Sequence, residues 1–215
     1  MKLLPDREEA GRRLAARLVH HAGTDAIVLA LPRGGVPVAA EIARALHAPL
    51  DLLFVRKIGV PWQPELAYAA VVDGDPPELV INDDVARYEP MSEAELAAAM
   101  HAEIAEIERR RTAYAGGRAA LAVAGRTVIV VDDGLATGTT ARAALQALRR
   151  RQPSKLILAV PVAPAETVNE LSGLVDELVC LETPEPFRAI GLHYDDFHQL
   201  GDDEVMAILR TTGTS

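Results

Sequence analysis

Two adjacent carboxylates, Asp132 and Asp133, follow the β-branched run Val128-Ile129-Val130-Val131 and precede Gly134-Leu135-Ala136-Thr137-Gly138-Thr139-Thr140, a turn of small and hydroxyl-bearing residues. A strand ending in acids presents them at its carboxyl edge, where they can accept hydrogen bonds from sugar hydroxyls. The turn offers backbone N–H groups and Thr hydroxyls at the N-terminus of a helix, a combination that suits a phosphate. Gly138 lets the backbone approach a ligand closely where a side chain would obstruct it. The plainer reading of the same residues is an acidic strand end followed by a helix cap.

Two other segments carry anion-binding chemistry. Leu31-Pro32-Arg33-Gly34-Gly35 lies between an apolar run from Ala26 to Leu31 and a helical pattern from Val36 to His47, and its glycines let backbone amides turn toward a ligand. Val55-Arg56-Lys57-Ile58-Gly59 is expected at the end of a second strand, where the basic pair could meet a multiply charged anion. A plain turn and a solvated strand end are the alternatives. His193-Tyr194-Asp195-Asp196-Phe197-His198 groups His with carboxylates but matches no zinc-ligand spacing, and its aromatic residues suggest a packed lid. His20, His21, His47 and His101 fall on predicted helices in surface or packing roles. No motif of a hydrolytic triad is present.

These residues need a frame that brings strand ends together. Apolar, β-rich runs recur at Ala26 to Leu31, Leu50 to Val55, Thr127 to Val131, Lys155 to Val160 and Val175 to Leu181. Helical spacing separates several of them, at Val36 to His47, Thr139 to Arg150 and Ala165 to Leu174, which predicts an α/β fold with a doubly wound, mainly parallel sheet. Ligands of such sheets bind at the carboxyl ends of the strands. The stretch 83–118 breaks the rhythm: Ser92-Glu93-Ala94-Glu95 reads as a capping box opening a long helix that ends at Gly116-Gly117, a helical insertion. Its charges, Glu103, Glu106, Glu108, Arg109, Arg110 and Arg111, are expected to form a solvated face. Asp6 to His21 reads as an amphipathic helix.

The segment from Val128 to Thr140 resembles the motif with which type I phosphoribosyltransferases bind 5-phosphoribosyl 1-diphosphate (PRPP). The resemblance implies that Asp132 and Asp133 contact the ribose hydroxyls and that Ala136, Thr137, Gly138, Thr139 and Thr140 hold the 5′-phosphate. It identifies Arg33, Gly34 and Gly35 with the family's diphosphate loop, with a non-proline cis peptide expected at Arg33-Gly34. Arg56 and Lys57 join that diphosphate site. Val60-Pro61-Trp62-Gln63-Pro64-Glu65 matches the position of the mobile loop that closes over PRPP. The implied catalytic residues are Asp132, Asp133 and Lys57, and the implied cofactor is Mg²⁺, carried by PRPP near Asp132 and Asp133 rather than by a permanent protein site. The resemblance covers about Asp25 to Leu181 and extends through RKIGVPWQPELAYAAVVDG to a bacterial subgroup of phosphoribosyltransferases. It predicts a single domain over 1–215, with about 183–215 and part of the N-terminus forming a small hood.

The implied reaction is transfer of ribose 5-phosphate to a nitrogenous acceptor with release of diphosphate; a PRPP-binding regulator without catalysis is the alternative. Ala136 stands where enzymes for hypoxanthine and guanine carry Asp, which puts that substrate class in doubt, although adenine enzymes also have Ala there. The acceptor is expected against the hood, on Phe187 and Tyr194, because the chain's few aromatics concentrate between Phe187 and Phe197. The other reading of these rings is that they anchor the tail to the sheet. A receiver-domain reading of VVDD fails on position, since such a pair would stand near the start of the domain.

Across 215 residues the chain is 49% apolar and 25% charged, ordinary for a globular protein and incompatible with a mainly disordered chain or a rod. Its net charge of −9 repels polyanions and argues against nucleic acid as a partner. Cys180, alone in an apolar stretch, reads as core filler in a reducing compartment. No secretory leader and no membrane span are apparent, so a cytoplasmic protein is expected, assembled as a homo-oligomer, a dimer.

Overall fold

The computed structural model describes residues 3–115 and 120–212. Its elements run α1 (Arg7–Leu18), β1 (Ile27–Ala30), α2 (Gly35–Leu46), β2 (Leu50–Leu52), β3 (Val55–Val60), β4 (Gln63–Val72), β5 (Glu78–Ile81), α3 (Asp83–Ala86), α4 (Glu93–Ala115), β6 (Thr127–Val131), α5 (Thr139–Arg150), β7 (Lys155–Val162), α6 (Ala165–Ser172), β8 (Glu177–Glu182) and α7 (Asp202–Thr211). Among the described residues no helix is long and apolar enough to cross a membrane.

The apolar runs become a five-stranded sheet in the order β2-β1-β6-β7-β8, with every pairing parallel. Alternate residues serve opposite faces. Val28, Ala30, Ile129, Val131 and Ile157 pack with Leu14 and Leu18 of α1 and Ile42 of α2. Leu29, Val128, Val130, Leu156 and Leu158 pack with Leu145 and Leu148 of α5 and Leu171 of α6. Because both faces are covered, the strands need no polar positions, which is why they read as continuous apolar runs.

Two expectations change. The second strand does not continue to Val55: β2 ends at Leu52, and Val55 opens β3 of a separate three-stranded antiparallel sheet, β3-β4-β5. Arg56 and Lys57 therefore lie within a β-hairpin, opposite Val71 and Ala70, rather than at the edge of the parallel sheet. Apolar content in this stretch is continuous through Leu52-Leu53-Phe54-Val55, so periodicity alone could not mark the break.

The insertion helix α4 begins as the capping box predicts, with Ser92 N donating to Glu95 Oε2 at 2.9 Å and Glu95 N to Ser92 Oγ at 3.2 Å. Its predicted end at Gly116-Gly117 lies outside the described residues. The expectation of a wholly solvated charged face is corrected, since Arg111 pairs with buried Asp73 and Asp51, and Glu103 pairs with Arg56 of β3 at 2.7 Å. These ion pairs tie α4 to β3, to the end of β4 and to β2. A charged residue on a helix can serve a neighbouring element as well as water, and spacing along one helix does not reveal that neighbour.

The segment before α1 meets the segment after β8. Leu4 forms a parallel bridge with Tyr194, Leu4 N donates to His193 O at 2.9 Å, and Asp195 N donates to Leu4 O at 2.8 Å. Leu4, Ala10, Val162 and Tyr194 form a small buried cluster against which Phe187, Ile190 and Phe197 pack.

Candidate functional site

The parallel register sets Ala30 of β1 beside Val131 of β6, so the segments that follow these residues share one edge of the sheet. Leu31 N donates to Val131 O at 2.9 Å, carrying the ladder past the end of β1. The next residues pass so near β6 that a Cβ on Gly35 would lie 2.6 Å from Val131 O, and one on Gly34 2.1 Å from Asp133 Oδ2. Gly34 has helical angles, φ −57° and ψ −39°, so space and not conformation demands glycine there. Gly34→Ala is expected to cost about 1–3 kcal/mol, the usual range for overpacking, read as a lower urea midpoint. An unchanged midpoint would mean that the loop can retreat.

The non-proline cis peptide lies at Pro32-Arg33, one bond before the expected Arg33-Gly34. Gly34 is the N-cap of α2 and already has helical angles, so the loop turns one residue earlier.

The adjacent acids occupy different environments. Asp133 is 8% exposed, and Arg7 of α1 donates from Nε to its Oδ2 at 2.8 Å. Tyr194 donates its hydroxyl to the Asp133 carbonyl at 2.6 Å. Asp132 is partly open to solvent, accepts the Asp133 N–H on Oδ1 at 2.9 Å and forms no ion pair among the described residues. Desolvation raises the pKa of Asp132 well above the ordinary carboxylate range, and the charge of Asp133 adds to it. Desolvation also raises Asp133, opposed there by Arg7. Burial and like charge thus disfavour the ionised form of Asp132, and no ion pair among the described residues offsets them; a cation arriving beside it would favour ionisation.

Beyond the acids, Leu135 N donates to Val162 O at 2.9 Å, which turns the chain toward α5. Gly138 has φ +67°, in the left-handed region, and a Cβ there would meet Thr167 Cγ2 at 2.7 Å, so conformation and space both select glycine. Thr167 fixes the turn from outside by donating to Ala136 O at 2.9 Å. Thr137 and Thr139 share a hydroxyl contact of 3.1 Å, and the first amides of α5 take no side-chain cap among the described residues. Such amides are donors suited to an anion. A cleft of about 670 Å³ borders the turn, with Thr137, Thr139 and Arg142 on one side and Ala69, Asn82 and Arg87 on the other.

The basic residues divide. Arg33 stands on the glycine loop beside the acids and pairs with Asp202 of α7 at 3.3 Å; Tyr114 of α4 also donates to Asp202. Arg56 is engaged by Glu103, and Lys57 is exposed on β3. Trp62, in the turn between β3 and β4, is 63% exposed.

In the hood, the expectation that Tyr194 offers its ring to an acceptor is corrected. The ring is 4% exposed and packs at 5.0 Å from Phe197, while its hydroxyl is committed to Asp133, so it anchors the tail to the sheet. Phe187 keeps partial exposure and stacks on His193 at 5.2 Å. His198 pairs with Asp196 and Glu204 at 2.9 and 3.0 Å, and Tyr194 and Phe197 beside it pack into the cluster with Leu4 and Val162. Elsewhere His20 and His21 approach Glu177 at 3.3 and 3.1 Å, but Lys155 Nζ lies 2.7 Å from the same carboxylate, so a cation already fills that cluster. Cys180 is partly buried, and burial pushes its thiol up to about 11, away from reactivity.

Arg7 escaped the reading of the sequence. A signal was present: Arg7 shares the apolar stripe of Ala10, Leu14 and Leu18, at helical spacing, where a charge needs a buried partner.

A parallel sheet whose acid-tipped central strand meets a glycine loop and a Gly/Thr turn defines a phosphoribosyltransferase-type α/β protein. The chain belongs to the phosphoribosyl transferase domain family, whose model matches residues 3–196. Proteins of Mycobacterium tuberculosis strains H37Rv and CDC 1551, each named "Putative phosphoribosyl transferase", are 48% identical over 209 residues, covering 97% of this chain and 47% of theirs. The chain thus spans about half the length of the curated relatives it matches. The crystal structure of TT1426 from Thermus thermophilus superposes with a TM-score of 0.83 at 40% identity, covering 97% of this chain and 98% of that one.

Proposed function

We propose that this chain transfers ribose 5-phosphate from PRPP to a nitrogenous acceptor and releases diphosphate. The observation that carries the reading is the convergence of the glycine loop 33–35 on the acids at the end of β6, with the Gly138 turn beside them. In this reading Asp132 and Asp133 accept hydrogen bonds from the ribose hydroxyls, while Ala136 to Thr140 wrap the 5′-phosphate. The amides of Gly34 and Gly35, with Arg33, take the diphosphate. Arg56 and Lys57 reach it only if the β3–β4 hairpin closes over the site, and Arg56 must then leave Glu103. Phe187 remains the acceptor contact on the hood.

In this reading Mg²⁺ would arrive carried by oxygens of PRPP, near Asp132, which forms no ion pair among the described residues. Bound there, Mg²⁺ would supply neutralisation of the diphosphate. The protein's own contribution is orientation of the sugar, hydrogen bonding to the leaving diphosphate and exclusion of water from a cationic C1, with no covalent intermediate. The lone Cys180 suits a reducing, cytoplasmic setting.

Calorimetric titration with Mg-PRPP, followed by a screen of nitrogenous bases read by diphosphate release, tests the proposal. Saturable PRPP binding and base-dependent release are expected. Absence of PRPP binding would overturn the assignment, and binding without release for any base would reduce the protein to a PRPP-binding regulator.

A further inference from the structure

We infer that Arg7 is a positioning residue for the ribose-binding acids, acting through Asp133; the inference rests on the PRPP reading above. Arg7 opens α1, far from the motif in sequence, yet its side chain is only 9% exposed and reaches three separate groups. Nε donates to Asp133 Oδ2 at 2.8 Å, Nη1 donates to the His198 carbonyl at 3.0 Å, and the guanidinium carbon sits 3.9 Å from the centre of the Phe197 ring. Three contacts from different directions leave a planar guanidinium one orientation.

Its partner is equally fixed. The Tyr194 hydroxyl holds the Asp133 carbonyl, and the backbone at Gly34 closes the space beside the carboxylate. Arg7 occupies Oδ2 and leaves Oδ1 as the oxygen it does not engage. A buried ion pair is weak as a source of stability, because desolvating both charges consumes most of their attraction. Here its geometric result is definite: one acid is pinned by Arg7, and its neighbour Asp132 forms no ion pair among the described residues. A sugar with adjacent hydroxyls would meet two acceptors in fixed relation, one anchored from behind by the N-terminal helix. The segment leading into that helix is tied to residues 195–196 where Asp195 N and Asp196 N donate to Leu4 O and Pro5 O at 2.8 and 2.9 Å, so segments far apart in sequence hold one catalytic-edge carboxylate.

A purely structural role would make Arg7 a tie between termini, and its loss would weaken every ligand alike or lower stability alone. Acting through Asp133, it must instead matter for ligands that carry the ribose. The test measures calorimetric affinities of the full chain and Arg7→Met for PRPP, ribose 5-phosphate and inorganic diphosphate, each with Mg²⁺. PRPP and ribose 5-phosphate should weaken on the order of 10- to 100-fold, the range typical of lost orienting partners, with diphosphate changed by less than about twofold. Arg7→Met/Asp133→Asn should bind PRPP no more weakly than Asp133→Asn, because the two act as one unit. If Arg7→Met does not fold, Arg7→Lys carries the test: it keeps the charge without the fork and should show the same ribose-selective loss, smaller in size. Equal losses for all three ligands, or unchanged affinities with a lower melting temperature, would overturn the inference. A wild-type chain that binds diphosphate and neither ribose compound, or none of the three, overturns the PRPP reading itself and this inference with it.

Discussion

Asp132→Asn should abolish most PRPP affinity and, at the same time, make the ligand-free protein more stable. The loss follows from removal of a charged acceptor facing the sugar, on the order of 1.5–3 kcal/mol for a lost charge-assisted hydrogen bond, or roughly 10- to 150-fold in Kd. The gain follows from the site's electrostatics. Asp132 is raised by desolvation and by the adjacent Asp133, so its ionised form is disfavoured in the folded state. The sign is then set: a carboxyl with a raised folded pKa adds stability at acid pH and loses it as pH climbs from the unfolded value, about 3.9, through the folded one. Asparagine has no proton to lose. The variant's advantage should therefore grow as pH climbs above the unfolded value, reaching about 0.5–2 kcal/mol, the common scale for relieving a strained functional site. Thermal melts across that pH range check the stability, and calorimetry checks the affinity. A variant that is less stable at pH 8 would show that Asp132 contributes to the fold.

Asp133→Ala should act in the opposite direction. Deleting this carboxylate leaves the Arg7 guanidinium buried without its counter-charge, a loss of about 3–5 kcal/mol for a broken buried pair. At roughly 2–4 °C per kcal/mol for a chain of this size, the melting temperature should fall by about 6–20 °C. Asp133→Asn should fall less, because its amide oxygen can still accept from Arg7. The hydrogen bond from Tyr194 goes to the backbone carbonyl and survives both changes. Denaturant unfolding of both variants measures the difference. Two neighbouring acids of one motif would thus respond with opposite signs, and a shared sign would refute the division of roles.

Much of the site is local in sequence. The strand β6, the turn at Gly138 and the helix α5 are consecutive, so their dihedral demands and apolar spacing are written in one segment. The glycine loop between β1 and α2 is legible for the same reason. The break after Leu52 is not, because Leu53 and Phe54 are as apolar as a continuing strand and only pairing partners decide where one sheet ends and the other begins. The hood aromatics show the same limit. Composition locates them, but only packing distinguishes Tyr194, whose hydroxyl is used internally, from Phe187, which keeps an open face.

By itself, the sequence determined the family, the parallel strands, the capped insertion helix and the acid, glycine and threonine groups of the candidate site, because each depends on neighbours a few residues apart. Tertiary structure alone decided how those groups are charged and aimed. It placed Gly34 against Asp133, brought Arg7 across 126 positions to that carboxylate and gave Asp132 no ion-pair partner among the described residues. The reason is physical: desolvation and ion pairing depend on distances through space, and a charge on an apolar stripe announces that it needs a partner without saying which one.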